Sequence, residues 1–147
     1  MSVMPGKNNA IEWTEDFSVG ISKFDDQHKE IIRLINELYE SLADKSDDQR
    51  MRMTDIAERL CNYTYTHFLE EEVEMYRCGF PQYESHKENH DKLTSLARDF
   101  LVRIMASETG LKKLCIELIA TLSAWLKVHI KETDKRYSAH LREKGIR

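Results

Sequence analysis

The sequence predicts an all-α protein, an antiparallel up-down-up-down four-helix bundle with an extended N-terminal arm. Glycine and proline are scarce, at 5 and 2 of 147 residues, which favours long uninterrupted helices over a turn-rich β fold. Apolar residues recur every three or four positions in four stretches, the spacing that aligns side chains on one helix face. Because short polar segments join these stretches, we expect consecutive helices to be antiparallel neighbours.

A mass of 17.3 kDa and a hydrophobic fraction of 41% suit one domain with one core. We predict a single domain over residues 1–147, with an arm over residues 1–20, the bundle over residues 21–140 and a tail over residues 141–147. The arm lacks helical periodicity, and its Trp13, Phe17 and Val19 are expected to pack onto the helices.

The four helices are predicted over residues 22–42, 49–77, 82–106 and 111–140. Their stripes are Phe24, His28, Ile31, Ile35, Leu38 and Leu42; Met53, Ile56, Leu60, Tyr63 or Thr64, His67, Glu71 and Met75; His86, His90, Leu93, Ala97, Phe100 and Ile104; and Leu111, Leu114, Leu118, Leu122, Trp125 and His129. Asp47 or Asp48 is a candidate N-cap for the second helix. Gly79 can end that helix in the left-handed conformation, before Pro81.

The overall charge and hydropathy exclude several classes of protein. A net charge of −4 and a pI near 5.9, with no basic stripe, give no reason to expect nucleic-acid binding. No stretch approaches the roughly 20 apolar residues of a membrane span, and the first residues do not resemble a signal peptide. We therefore expect a cytoplasmic protein without stable membrane insertion. Its three cysteines, without a C-x-x-C pair, are expected to be reduced thiols.

The predicted core stripes also carry histidines and carboxylates. The candidate metal ligands are His28, His67, Glu71, His86, His90, His129 and Asp134. Residues four apart share a helix face, so His67 with Glu71, and His86 with His90, can each address one point in the core. In an antiparallel bundle these positions also fall near one end, at similar depth. His129 and Asp134 are five apart, about 140° on an ideal helix. Either Asp134 reaches around the helix or a π-type insertion lies between them.

This set of side chains indicates two metal ions rather than one. Five imidazoles and two carboxylates are too many donors for one first-row ion, and imidazole does not suit calcium or magnesium. Lys87 occupies the position that glutamate takes in the H-E-x-x-H motif of zinc hydrolases. If both carboxylates and one solvent oxygen bridge two six-coordinate irons, five histidines fill all but one of the remaining positions. The open position would suit a small ligand.

These residues resemble the hemerythrin family. Beyond the ligands, Trp13, the segment around Val19-Gly20-Ile21, the run Asp25-Asp26-Gln27-His28 and the last-helix pattern Trp125-x-x-x-His129-Ile130-x-x-x-Asp134 are similar to it. The resemblance spans about residues 11–137 and suggests a stand-alone bacterial form.

The resemblance implies an oxo- or hydroxo-bridged diiron centre with O₂ as its ligand. It places His86, His90 and His129 on the saturated iron, His28 and His67 on the iron with the open position, and Glu71 and Asp134 between them. Phe24, Ile31, Tyr63 and Trp125 lie one turn from ligands and are candidates to wall an O₂ pocket, although each also suits a plain core role.

The flanking polar residues are given no ligand role. Glu70 and Glu72 are expected to be solvent-exposed, and His140 to be a solvated surface histidine. Asp25 is expected to be a charge favoured by the start of the first helix rather than a partner of a ligand.

The predicted function is reversible O₂ binding for storage, transport or delivery, without enzymatic activity. The alternatives are a signalling module that senses O₂ or redox state and a diiron enzyme that acts on NO or peroxide. Neither nucleic acid nor a membrane is an expected partner. We expect a monomer, and a protein acceptor of O₂ is left open.

Overall fold

The computed structural model describes residues 9–147, and the four-helix bundle predicted from the sequence is confirmed. The helices are α1 (Ser22–Ser41), α2 (Gln49–Arg77), α3 (Tyr83–Ala106), α4 (Leu111–Val128) and α5 (Lys135–Glu143), with a short 3₁₀ helix (Glu15–Phe17) before them and a π-helical turn (His129–Asp134) between the last two. Residues 1–8 of the predicted arm lie outside the described part.

The helices close into a ring around the apolar stripes. α1 packs on α2, α2 on α3, α3 on α4, and α4 back on α1. Much of the interior of this ring is apolar, since Ile35, Leu38, Met53, Leu60 and Leu118 are all fully buried. At about 25 cal/mol per Å² of apolar surface removed from water, such side chains supply most of the driving force for folding.

The fourth predicted helix is continuous in space, but its hydrogen-bonding pattern changes from α to π and back to α. α4, the π-helical turn and α5 follow one another without an intervening loop. The last helix continues to Glu143, beyond the predicted end at residue 140, because Leu141 has a fully buried position in the core.

The connection between α2 and α3 is fixed by backbone hydrogen bonds. Gly79 has a φ of 68°, and the amides of Gly79 and Phe80 donate to the carbonyls of Tyr76 and Met75. This is the Schellman arrangement, which satisfies the last carbonyls of a helix and favours glycine at the left-handed position. The turn directs Phe80 back into the core, where it is 7% exposed.

The N-terminal arm is bound to α1 by two groups of hydrogen bonds. The Asn36 side chain accepts from the Ile11 amide (3.1 Å) and donates to the Ile11 carbonyl (2.8 Å). Asp25 accepts from the Ser18 hydroxyl (2.6 Å) and the Val19 amide (2.8 Å). Asp25 therefore anchors the arm, a role that the expected helix-start interaction did not include.

Trp13, Phe17 and Val19 lie on the bundle, as predicted from their apolar character. Phe17 and Val19 are buried, and Trp13 stacks on Phe17 with ring centroids 5.8 Å apart. The ammonium group of Lys131, in the π-helical turn, lies 4.9 Å from the centre of the Phe17 ring. The arm thus contacts the one irregular turn of the last helix.

Replacing Asn36 with alanine should release the first part of the arm. Each intramolecular hydrogen bond contributes about 1 kcal/mol net, so losing the pair should accelerate exchange of the Ile11 amide roughly tenfold or more. Hydrogen exchange measured by mass spectrometry reports this directly. Asn62→Ala, at an exposed position of α2, is the control. Equal exchange in the two variants would contradict the anchoring role.

Candidate metal centre

Seven polar side chains converge in the interior of the bundle. They are His28 from α1, His67 and Glu71 from α2, His86 and His90 from α3, and His129 and Asp134 from the π-helical turn. Each is at most 4% exposed, and Glu71 and Asp134 are fully buried. The structure therefore brings together all seven residues that the sequence singled out.

The seven residues form two groups. Among residues 9–147, donor atoms of His86, His90, His129 and Asp134 lie within 4.8 Å of one another, and so do those of His28, His67 and Glu71. The first group offers three imidazoles and one carboxylate. The second offers two imidazoles and one carboxylate.

Each carboxylate faces both groups. Asp134 Oδ1 lies 2.8 Å from His129 Nε2 and 3.1 Å from His86 Nε2, while Asp134 Oδ2 lies 3.4 Å from His28 Nε2. Glu71 Oε1 contacts His67 Nε2, and Glu71 Oε2 lies 4.0 Å from His86 Nε2. Both carboxylates therefore lie between the two groups of imidazoles, where each could serve two ions.

The π-helical turn places His129 and Asp134 on the same side of the last helix. In an α-helix residues five apart diverge by about 140°, whereas an i→i+5 hydrogen-bonding pattern widens the turn and aligns them. The structure has this pattern over His129–Asp134. Of the two arrangements that the sequence left open, the backbone adopts the π insertion.

The donor atoms suit metal ions, because in the absence of an ion many of them lack a hydrogen bond. Both nitrogens of His28, Nε2 of His86 and all four oxygens of Glu71 and Asp134 are buried. Within residues 9–147 none of these atoms makes a hydrogen bond of normal geometry, although imidazole nitrogens lie close to the oxygens. An unsatisfied buried polar atom costs about 1–3 kcal/mol, and more if it is charged. Coordination would satisfy the four oxygens and the Nε2 atoms of His28 and His86, since imidazole and carboxylate together suit first-row transition metals.

One distance also agrees with a shared ion. Nε2 of His90 lies 3.1 Å from Nε2 of His129. If both nitrogens present lone pairs, they repel each other at this distance unless a cation lies between them. Two nitrogen ligands at right angles around one ion, with bonds of about 2.1 Å, would be separated by about 3 Å.

The carboxylates and imidazoles strongly shift each other's ionisation. Burial alone would raise the pKa of Asp134, but the charge of His129 and the nearby imidazoles of His28 and His86 hold it well below its usual range. Burial and the charge of Asp134 also oppose ionisation of Glu71, and yet His67 and His28 lower its pKa. Burial lowers the pKa of His28, but Asp134 and Glu71 outweigh this effect and raise it to about 9. The site therefore favours anionic carboxylates with cations between them.

Two of the imidazoles form hydrogen bonds with side chains that were not predicted to belong to the site. Glu72 was expected to be exposed, but it is 8% exposed and its carboxylate lies 3.0 Å from His90 Nδ1. Gln27 places its Oε1 2.5 Å from His67 Nδ1. Glu72 lies off the ligand stripe of α2, so only the packing of α2 against α3 could show that it turns inward.

Aromatic rings cover the imidazoles. Phe68 stacks on His90 (centroids 3.9 Å apart, planes within 6°), and Trp125 stacks on His129 (4.1 Å, 15°). Phe24 meets the His67 ring edge-on at 6.1 Å. Phe24 and Trp125 were candidate wall residues, whereas Phe68 follows His67 directly and was not singled out.

The other two candidate wall residues differ in their exposure to solvent. Tyr63 is half-buried and lines a groove of about 370 Å³ between α1 and α2 with Glu30, Arg59 and Thr66. Ile31 is buried in the apolar core.

Tyr137 is a further residue at the site that the sequence analysis missed. It is fully buried, and its ring meets that of His86 edge-on at 5.0 Å. Burial, together with the charges of Glu71 and Asp134, raises the pKa of its hydroxyl well above the usual value. Tyr137 therefore remains a neutral phenol beside the two carboxylates. Its position three residues after Asp134, on the same helix face, is the signal that could have identified it.

His140 and the cysteines lie apart from the two groups. His140 is half-buried, with Nε2 3.1 Å from the Cys78 carbonyl, and so it is not the solvated surface histidine that was expected. It packs on Phe80, which excludes water from one side of the imidazole. Cys61, Cys78 and Cys115 are free thiols, and burial raises the pKa of Cys61 and Cys115 to about 11.

Comparison with known proteins identifies relatives along most of the chain. The family model described as the hemerythrin HHE cation binding domain matches residues 19–141. The chain is 30% identical over 135 residues to the bacteriohemerythrin of Stenotrophomonas maltophilia, covering 89% of this chain and 84% of that protein. It is 30% identical over 126 residues to the bacteriohemerythrin of Methylococcus capsulatus, covering 85% and 92%.

The fold also matches a solved structure of this kind. A crystal structure of wild-type hemerythrin superposes with a TM-score of 0.78 at 29% identity, covering 89% of this chain and 97% of that one. None of the helices in residues 9–147 has both the length and the apolar character needed to cross a membrane.

His28→Ala should remove metal from one group only. Loss of one donor from the smaller group should weaken binding there at least tenfold and lower the metal content from two ions per chain to about one. Metal analysis after loading with Fe²⁺ or Co²⁺ and desalting measures this. His140→Ala is the matched control and should retain both ions. Equal losses in the two variants would refute the assignment of His28.

Stability of the chelator-treated protein should fall as the pH rises above neutrality. The pKa of His28 is raised from 6.5 to about 9 in the folded state, so the folded chain binds the extra proton in this window. The contribution is fully present below pH 6.5 and is lost as the pH rises through about 9. Urea denaturation across this range measures it.

His28→Gln should flatten that pH dependence, and His140→Gln should leave it unchanged. Metal binding should show the opposite trend and tighten with pH, because a metal and a proton compete for the same imidazole nitrogen. A pH-independent stability of the chelator-treated wild type between pH 6.5 and 9 would contradict the electrostatic account of the site.

Proposed function

This chain belongs to the hemerythrin family, and from that premise we propose that it binds O₂ reversibly at a non-haem diiron centre. The proposed ligands are His28, His67, Glu71, His86, His90, His129 and Asp134. The observation that carries the proposal is their grouping, since seven buried donors form two adjacent sets with a carboxylate of each set facing the other. Two ions in these sets would supply two electrons to a bound O₂.

The two sets differ in their number of imidazoles, and so we expect the two irons to differ in how many coordination positions the protein fills. His86, His90 and His129 would hold one iron, and His28 and His67 the other, with Glu71 and Asp134 between them. The set with two histidines has fewer protein donors and therefore has room for a small exogenous ligand. The resemblance to known hemerythrins supports the same division.

The protein's second task is to keep the site dry. Phe68 and Trp125 cover His90 and His129, while Phe24 packs against His67. Exclusion of water and of bulky reductants keeps the charges in a low-dielectric surrounding and suppresses irreversible oxidation. Reversible binding, rather than turnover, requires this protection.

The structure offers no specific support for an enzymatic or sensing role. Within residues 9–147, the titratable groups in contact with the two sets are the ligands, the hydrogen-bonded Glu72 and the neutral phenol of Tyr137. A buried phenol with a raised pKa is a poor general base. We propose storage, transport or delivery of O₂ by a cytoplasmic monomer.

Anaerobic loading with ferrous iron followed by cycles of air and argon tests the proposal. We expect two irons per chain and an optical spectrum that appears in air and reverses under argon. Phe68→Ala should keep both irons but shorten the life of the oxygenated form, because it opens the cover over His90. Tyr65→Ala, at an exposed position of α2, is the control. One iron per chain, or immediate irreversible oxidation of the wild type, would contradict reversible O₂ binding.

A further inference from the structure

In each set, one ligand histidine forms a hydrogen bond through Nδ1 to a side chain that is not itself a ligand, and the two acceptors differ chemically. His90 of the three-histidine set has its Nδ1 3.0 Å from an oxygen of the buried Glu72 carboxylate. His67 of the two-histidine set has its Nδ1 2.5 Å from the Gln27 amide oxygen. One set therefore has an anionic outer partner, and the other has a neutral one.

The neutral partner is fixed in its orientation by a third residue. Gln27 Nε2 donates to a carboxylate oxygen of Glu70, and Lys23 Nζ lies 3.5 Å from the same oxygen. An ionised carboxylate only accepts hydrogen bonds, so the amide nitrogen of Gln27 must face Glu70 and its oxygen must face His67. His67 must then carry a proton on Nδ1, which leaves Nε2 as the atom directed at the Glu71 side of the site.

The same reasoning applies to His90, with a charged acceptor. Its Nδ1 donates to Glu72, and its Nε2 is directed toward His129. A carboxylate that accepts from a ligating imidazole makes the imidazole more basic, and a charge-assisted hydrogen bond is about twice as strong as a neutral one. The difference between the two outer partners is therefore a difference in donor strength.

We propose that Glu72 and Gln27 are positioning residues that make the two metal positions unequal. Glu72 strengthens the three-histidine set, so that this set binds metal first and tightly. Gln27, oriented by Glu70, keeps His67 in the ligating tautomer without adding charge, so that the two-histidine set binds its metal more weakly. The inference rests on the proposed function, because it assumes that both sets hold metal.

The test is a titration of the metal-free chain with Co²⁺, followed by its absorption spectrum. Wild type should bind two ions in two resolved steps, and His28→Ala should remove the weaker step. Glu72→Gln should weaken the tighter step by 10- to 100-fold and shift the cobalt bands of that step. Glu74→Gln, which removes the same charge from the same helix at a side chain paired only with Arg77 in the described residues, should change neither step.

A second variant is designed to strengthen metal binding by the two-histidine set. The double substitution Gln27→Glu with Glu70→Gln exchanges the carboxylate and the amide, so the net charge is unchanged while a carboxylate now faces His67. It should tighten the weaker step about tenfold or more. If Glu72→Gln does not fold, as judged by circular dichroism, this exchange decides the proposal alone.

The outcomes separate this inference from the function on which it rests. Two bound ions in wild type, with Glu72→Gln indistinguishable from Glu74→Gln, would overturn the inference and leave the diiron proposal intact. An unchanged weaker step in the exchange variant would overturn it in the same way. Fewer than two ions in wild type would remove the proposed function and the inference together. A general loss of stability without shifted cobalt bands would show a structural role only, and would also overturn it.

Discussion

Two fully buried carboxylates face five imidazoles in the centre of this bundle, and this electrostatic balance constrains the rest of the structure. Glu71 and Asp134 repel each other, and removing each charge from water costs several kcal/mol even after relaxation. No single helix carries enough imidazoles to offset that cost. The four helical segments must therefore meet at one depth, with each stripe turned toward the same point.

The connections and the arm help to maintain this arrangement. The turn at Gly79 sends Phe80 against His86 and Tyr137, so that the link between α2 and α3 covers one end of the site. The arm reaches across α1, and its Phe17 contacts Lys131 in the π-helical turn. An irregular turn gives up regular hydrogen bonding, and packing from a distant segment offsets part of that loss.

The site combines charged metal-binding groups with aromatic rings that shield them from water. The carboxylates and imidazoles form two sets of donors that could each hold a positively charged ion, while the surrounding rings cover the imidazoles. The inequality of the two sets is present at two levels, first in the number of histidines and then in the acceptors Glu72 and Gln27 behind them. A site that binds and releases a small molecule benefits from such inequality, because one ion can remain saturated while the other exchanges a ligand.

The sequence by itself determined the number of helices, their approximate limits and the residues on their inner faces. These follow from local periodicity, because a residue on an apolar stripe must find partners in the core. Only the tertiary structure decided between a reaching side chain and a π insertion at His129–Asp134, since that choice depends on what the rest of the core demands of Asp134. Packing also decided that Glu72 and Gln27 lie against ligands and that Asp25 anchors the arm. Each of these is a contact between different segments of the chain, and the spacing of residues within one helix carries no information about the segments that pack against it.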